Sequence, residues 1–464
     1  MEEKKRFNVP HVYIILLTIV LVCTILTYIV PAGSYERVLN EASGRMVVDP
    51  ASFEYIDQTP VGLFDMVMSV PEGMAEVASI IFFIFIVGGA FFVMQSTGAI
   101  EAGLGRLLYI FRGKERVAIP IVMICFALMG GSFGMAEETI PFIPIMITFA
   151  MALGFDSITG TAIVFCGAAS GFATAFTNPF TVGVAQSIAE LPMFSGIEFR
   201  IGMFCVMVLF TIGFVMRYAG KVKKNPEISP MYEIDKTRDL LDQSNLPEFT
   251  GRRKLVLLVL LGTVVMLLVG VMKLDWYLDE LSALFLVMGL LSALIGGLGF
   301  NGFAIKLGEG MAAITGGALV VGFARAILVV MTKGNIIHTM LYASSNALRG
   351  LSPTISVLGM YIFQAILNFF VPSGSGQAAL SMPIMAPLSD LLGITRQTAV
   401  VTFQLADGIA NVFFPTVGYM MAGLALGKVP YEKWAKWVLP LVGLQYLLGA
   451  VIIVIAQSIE LGPF

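Results

Sequence analysis

Apolar residues run along this chain in blocks of about 20, the length of helix that crosses a bilayer. Blocks of this kind cover residues 12–30, 77–97, 200–218, 255–272, 281–298, 312–331 and 434–456. Two further apolar stretches are interrupted in the same way. GGSFGMAEETIPFIPIM at 130–146 and FFVPSGSGQAALSMPIM at 369–385 each place a Gly/Ser-rich tip before Pro-Ile-Met, and each is followed by a helix broken at proline. The breaks are Thr177-Asn178-Pro179 and Phe414-Pro415-Thr416. In lipid, non-helical backbone survives only where protein buries it or where it lines a cavity. Gly/Pro-interrupted apolar segments at matching places in two halves point to the substrate site of a secondary transporter.

Loop charge orients the blocks, because basic residues favour the cytoplasmic side. Lys4, Lys5 and Arg6 place the N-terminus inside, and the acidic stretch 33–76 lies outside. The basic stretch around Arg106, Arg112, Lys114 and Arg116 is then inside, with its helix lying at the interface. Residues 1–76 form a first span plus an external acidic loop. Residues 77–218 form repeat one, with hairpin one at 118–154 and a broken helix at 157–191. A basic cytoplasmic linker follows at 219–254, then scaffold spans at 255–311. Repeat two covers 312–457, with an external interfacial helix at 333–349, hairpin two at 353–393 and a broken helix at 395–426. Nine crossings and two re-entrant hairpins satisfy these charges, and the repeats come out inverted. The repeats also align directly: Pro144-Ile145-Met146 with Pro383-Ile384-Met385, Gly154 with Gly393, and Thr181-Val182-Gly183 with Thr416-Val417-Gly418. The predicted fold is an all-α polytopic membrane protein.

Composition agrees. Hydrophobic residues are 57% and charged residues 13% of 464, and mean hydropathy is +0.88, outside the range of a soluble domain. The apolar run at 12–30 is too long for a signal-peptide core and lacks a small-x-small cleavage site, so it reads as a retained span. A net charge of −3 gives no reason to expect nucleic acid. Cys23, Cys125, Cys166 and Cys205 lie in apolar stretches without CxxC spacing and are expected as buried free thiols. With two histidines and no HExxH, GxSxG or GxxxxGK[ST] at a plausible place, neither a membrane enzyme nor an ATP-driven pump is indicated. A channel would line its filter with repeated identical loops, and the two tips here differ chemically.

Glycine and serine at the tips let a ligand approach the backbone, and hydroxyls add donors and acceptors. Ser132, Thr139, Thr177, Asn178, Ser373, Gly374, Ser375, Gln377, Asn411 and Thr416 fit that role. The alternative for the small residues is close helix packing. Glu137 and Glu138 sit at the first tip and Asp407 in the second broken helix, depths at which a carboxylate is costly and marks function. They could bind a cationic substrate, take Na⁺, or exchange H⁺. They could also pair with Arg325, which lies in the block 312–331 where repeat one has Gly89. Arg325 could instead take a substrate carboxylate in a bidentate fork. No metal site can be assigned.

NFFVPSGSGQAALSMPIMAPL at 368–388, then ITRQTAV and MAGLALGKVPYEKW, together with GGSFGMAEETIPFIPIMITFAMALGFD, resemble the YfcC-like transporters. These are grouped with the C4-dicarboxylate anaerobic carrier family of the ion transporter superfamily. The resemblance covers nearly the whole chain. It implies inverted repeats, re-entrant hairpins, a scaffold that is usually dimeric, and elevator-type movement of the hairpin domain. It also implies exchange of basic amino acids, arginine against ornithine above all, or transport of dicarboxylates. The superfamily's Ser-Asn-Thr signature is not intact, and Thr177-Asn178-Pro179 is its nearest approach. The expectation is a secondary transporter of the inner membrane, without cofactor and without nucleic-acid partner, working as a homodimer. Its preferred substrate is a basic amino acid, because the first tip is acidic and neither tip carries Lys or Arg. The alternative is a carboxylate carried with H⁺ or Na⁺, and an ion channel is a remote third.

Overall fold

The first feature the fold adds to the sequence reading is a helix inside the acidic segment 33–76. The computed structural model describes residues 12–40, 45–49, 51–103, 106, 115–238, 247–274, 276, 278–348 and 350–462. The N-terminal basic cluster and most of the Arg106–Arg116 stretch, both used to orient the chain, lie outside them. Helix α1 is Val12–Ile29. Leu63–Glu76 forms helix α2, and after the single break at Val77 the chain continues as α3, Ala78–Gln95. Asp65, Pro71 and Glu72 interrupt the apolar pattern of α2, which is why it reads as a loop in sequence. The described residues ahead of α2 include two antiparallel ribbons, Gly33–Ser34 with Glu54–Tyr55 and Arg37–Asn40 with Arg45–Val48. The protein is therefore mostly helical rather than all-helical.

The same construction recurs in the second half. Gly251–Lys273 (α9) and Leu278–Gly296 (α10) lead into Gly299–Ala313 (α11), a break at Ile314, and Thr315–Lys333 (α12). The bend at this second break is 45°. This second helix pair begins at Gly299, inside the stretch 255–311 read from sequence as scaffold spans. The first helix of each pair packs on the second helix of the other. Glycine permits this approach: a Cβ at Gly73 would lie 2.7 Å from the Gly322 carbonyl oxygen, and one at Gly310 would lie 2.8 Å from the Gly89 Cα. Counted from the breaks, Arg325 corresponds to Gly88, one residue from the sequence alignment. Helices α2, α3 and α9–α12 form one body, the frame. Its core is built from Phe83, Val87, Phe91 and Met94 against Leu281, Phe285 and Met288.

Helix α1 packs on α12 of the frame, and the remaining helices form the hairpin body. Its first half runs α4 (Glu115–Phe133), α5 (Phe142–Ala152), α6 (Ser157–Ala173), a break, α7 (Val184–Ile188) and α8 (Ile197–Lys224). Its second half, after α13 (Ile336–Leu348), runs α14 (Pro353–Phe370), α15 (Gly374–Leu391), α16 (Arg396–Ala410), a break, α17 (Gly418–Leu426) and α18 (Tyr431–Ser458). The arms stop and restart by the same chemistry in both halves. Gly154 and Gly393 take left-handed backbone at φ 83° and 67°. The amides just beyond them, of Phe155 and Ile394, each bond back across the helix end at 2.9 Å, to the carbonyls of Ala150 and Ser389, closing the helix by a glycine-dependent motif. Asp156 and Thr395 then cap the next helices, accepting from the amides of Thr159 and Thr398.

Among the described residues, five helices are long and apolar enough to cross a membrane: α3, α8, α10, α14 and α18. The bent pair α11 and α12 makes a sixth. The nine crossings expected from sequence include segments that fold shorter than a span. In the broken crossing 395–426, the helix Arg396–Ala410 has 15 residues, about 22 Å of helix against roughly 30 Å of hydrocarbon. The linker after α8 begins as ordered structure: Ser229 and Tyr218 both donate to Asp156 Oδ2, and Arg238 reaches the Lys428 carbonyl at 2.8 Å. Cys23 and Cys166 are buried, as expected, whereas Cys125 and Cys205 are exposed on the outer faces of α4 and α8.

Candidate functional site

The first tip is built from the end of α4. The helix stops at Phe133, Gly134 turns the chain at φ 77°, and Glu137–Thr139 forms one tight turn. Any Cβ at Gly134 would meet the Asn178 side chain at 2.5 Å, so the tip rests directly on the break that follows α6. The break is held from the other side too. Amides of Phe176 and Thr177 donate to the Gly131 carbonyl, and the Thr177 hydroxyl donates to the Ser132 carbonyl at 3.0 Å. These bonds satisfy backbone that would otherwise be stranded in an apolar setting. Within the tip, Glu138 is 7% exposed and accepts from the Ala136 amide at 3.0 Å, while Thr139 donates to the Ala136 carbonyl.

The second tip is shorter than its sequence suggests. Only Val371–Ser373 leave the helix, and Ser373 caps α15 by accepting from the Gly376 amide. Beneath it lies a polar network. Gln377 donates to Gln364, Gln364 to Ser381, and Asn368 to both Gln377 at 3.2 Å and Asp407 Oδ1 at 2.7 Å. Asp407 is fully buried, and its second oxygen has no protein partner. The buried hydroxyls of Thr181 and Thr416, one in each break region, are likewise unpartnered, as is Asn178 Nδ2. Such groups are costly in an apolar interior.

A cavity of about 460 Å³ lies between the two bodies. The hairpin body lines it with Glu137 and Glu138, with Ser373, Gly374 and Ser375, with Thr181, Asn411 and Thr416, and with Phe172, Phe180, Phe370 and Tyr419. The frame supplies Val77, Ile80, Val321, Ala324, Arg325 and Leu328. Eight of the residues singled out in sequence therefore meet here: Glu137, Glu138, Arg325, Ser373, Gly374, Ser375, Asn411 and Thr416. Ser132, Thr139, Thr177, Asn178, Gln377 and Asp407 do not line the cavity. They bond to the tips and breaks behind it, and Ser132 returns its hydroxyl to Leu128 of its own helix. The expected pairing of Arg325 with a tip or broken-helix carboxylate is not what the structure shows. Its Nε donates to Glu76 Oε2 at 2.6 Å, within the frame. Among the described residues no three His, Cys, Asp or Glu side chains gather as a metal site.

Sequence reasoning missed the aromatic wall, because Phe172 and Tyr419 look like packing residues. It also passed over Arg200, which reads as the polar edge of a span. Arg200 is fully buried and donates to the Ala175 carbonyl in the first break and to Gln397 at 3.2 Å. Its one legible signal was an arginine directly ahead of an apolar run.

A family model of the C4-dicarboxylate anaerobic carriers, DcuC, matches residues 9–458. YfcC of Escherichia coli K12, described as a candidate basic amino acid antiporter, is 35% identical over an alignment spanning 98% of this chain and 97% of that protein. An uncharacterised protein of Haemophilus influenzae is 28% identical, with 99% of both chains covered. Among solved structures, the YdaH transporter of Alcanivorax borkumensis aligns over 98% of this chain and 100% of its own, with a TM-score of 0.44 and 16% identity. MtrF of Neisseria gonorrhoeae, reported within a class of antimetabolite efflux pumps, aligns over 98% and 96%, with a TM-score of 0.45 and 15% identity. With a family match over nearly its whole length and a full-length relative at 35% identity, this chain belongs to the C4-dicarboxylate anaerobic carrier family of transporters.

Proposed function

We propose that the protein exchanges basic amino acids across the inner membrane, with its N-terminus in the cytoplasm, by an elevator movement of the hairpin body against the frame. One observation carries the substrate: the cavity between the two bodies has two glutamates, Glu137 and Glu138, at one tip and no basic residue at either tip. The cationic group of the substrate lies at the first tip. Its carboxylate faces the second, where Ser373, Gly374 and Ser375 begin α15 and a helix N-terminus favours negative charge. The name given to YfcC points the same way. The paired arms α4 with α5 and α14 with α15 act as re-entrant hairpins. The frame pairs with a second copy in a homodimer.

Exchange requires no coupling ion. Net uptake would need H⁺ or Na⁺, and Asp407, with one oxygen unpartnered, is the group we assign to it. The second reading, a carboxylate substrate, is favoured by Arg325 in the cavity wall and by the family's description.

The test is a thermal-shift titration of purified protein with arginine, ornithine, lysine, succinate and fumarate. A ligand at a hundredfold excess over its Kd stabilises by about 2.7 kcal/mol. Stabilisation by basic amino acids supports the reading. Stabilisation by dicarboxylates alone sinks it.

A further inference from the structure

Arg325 is the one basic side chain among the described residues that line the cavity, and it belongs to the frame, whereas the acidic tip belongs to the hairpin body. Its partner Glu76 belongs to the same body, so this ion pair does not hold frame and hairpin body together. Both side chains are partly open, at 35% for Arg325 and 46% for Glu76, so neither is stranded as a buried charge if the pair parts. The corresponding residue of the first repeat is Gly88. The guanidinium is therefore an addition to one repeat and not part of the shared framework.

We propose that Arg325 is a tethered stand-in for the substrate. When the cavity holds no substrate, Arg325 leaves Glu76 and pairs with Glu137 or Glu138. That contact latches the hairpin body to the frame. A cationic substrate takes the tip carboxylates, returns Arg325 to Glu76, and frees the hairpin body to move. The structure records the Glu76-paired position. This inference rests on the exchange of basic amino acids proposed above.

Two physical points favour it. An exchanger must forbid the return of its empty carrier, and an acidic tip without a counter-charge is a poor passenger through a low-dielectric slab. A guanidinium fixed to the frame neutralises the tip but cannot travel with it. The tethered group also has the bidentate fork that an arginine substrate would present, so the two compete for the same carboxylate geometry.

The experiment uses full-length protein in liposomes loaded with radiolabelled arginine. Efflux is measured into buffer without substrate and into buffer with external ornithine, and the ratio of the two rates reads the latch. For Arg325→Gln, the ratio of efflux into plain buffer to exchange should rise about tenfold, the scale of one charge-assisted contact. Arg325→Lys should keep most of the restraint. Glu76→Gln removes the resting partner, so plain-buffer efflux should fall and the KM for arginine should rise. If Arg325→Gln does not fold, the Lys and Glu76→Gln variants carry the same test.

An unchanged ratio in all of the folded variants overturns the latch. So does an Arg325→Gln protein whose KM rises steeply at unchanged ratio, because Arg325 would then be a substrate ligand. If the native protein exchanges no basic amino acid, the functional reading itself has failed, which is a separate result from an unchanged ratio.

Discussion

Gly374 lies directly against Thr181: a Cβ at residue 374 would sit 2.4 Å from the Thr181 Cγ2, and 3.2 Å from the unpartnered oxygen of Asp407. The second tip therefore meets both broken helices at one point, and it does so through a residue without a side chain. Gly374→Ala should displace the tip and cut arginine exchange at least about tenfold at normal expression, since overpacking of this kind typically costs 1–3 kcal/mol, or roughly that factor and more. Thr181→Ser removes the clashing methyl. The double variant should recover a large part of the lost exchange, and a double variant no better than Gly374→Ala would show that the contact does not set the tip.

Glu137→Gln and Glu138→Gln separate charge from shape. Glutamine can still accept from the Ala136 amide, as Glu138 does, so the tip should keep its fold. The KM for arginine should rise about 10- to 100-fold, as expected for a charge-assisted contact worth 1.5–3 kcal/mol. Succinate handling measured alongside should not improve. A KM that stays put for both variants would remove the acidic tip from substrate recognition.

Asp407→Asn keeps an acceptor for Asn368 but no longer carries a charge. Exchange should survive within a fewfold, because the residue stands behind the cavity. Any net uptake driven by an H⁺ or Na⁺ gradient should disappear. Gradient-driven uptake of normal size in the variant would free Asp407 from a coupling role.

The frame makes a stability prediction. A Cβ at Gly310 would clash with Phe92 at 2.6 Å and with Gly89, whereas nothing lies within 4 Å of one at Gly308, on the same helix. Gly310→Ala should lower the melting temperature in detergent. Gly308→Ala should leave it unchanged or raise stability by up to about 1 kcal/mol through helix propensity. The same sign for both would mean that the α3–α11 contact is not as close as described.

Most of the architecture was legible because lipid enforces it. Long apolar blocks, the two interrupted tips and the proline breaks are features that a bilayer permits in few arrangements. The paired stops at Gly154 and Gly393 were legible as well, since each needs a residue at ease in left-handed backbone. Helix α2 was not legible, because Asp65 and Glu72 dilute its apolar face, and Glu72 pairs with Lys333 far along the chain. For Arg325 the alternatives read from sequence were a tip or broken-helix carboxylate and a substrate carboxylate; Glu76 was not among them, because it lay in a segment read as a loop. Which of Glu137, Glu138 and Asp407 faces the cavity depends on how the tip turns, and no periodicity reports that.

The matched stop-and-restart of the arms has one more consequence. A site formed between two identical copies would present the same groups from both sides and could not tell one end of a ligand from the other. Here the supporting chemistry is duplicated while the tips have diverged, one to glutamates and one to a neutral helix start. The molecule thereby keeps a matched framework in its two halves while its cavity gains two chemically different ends.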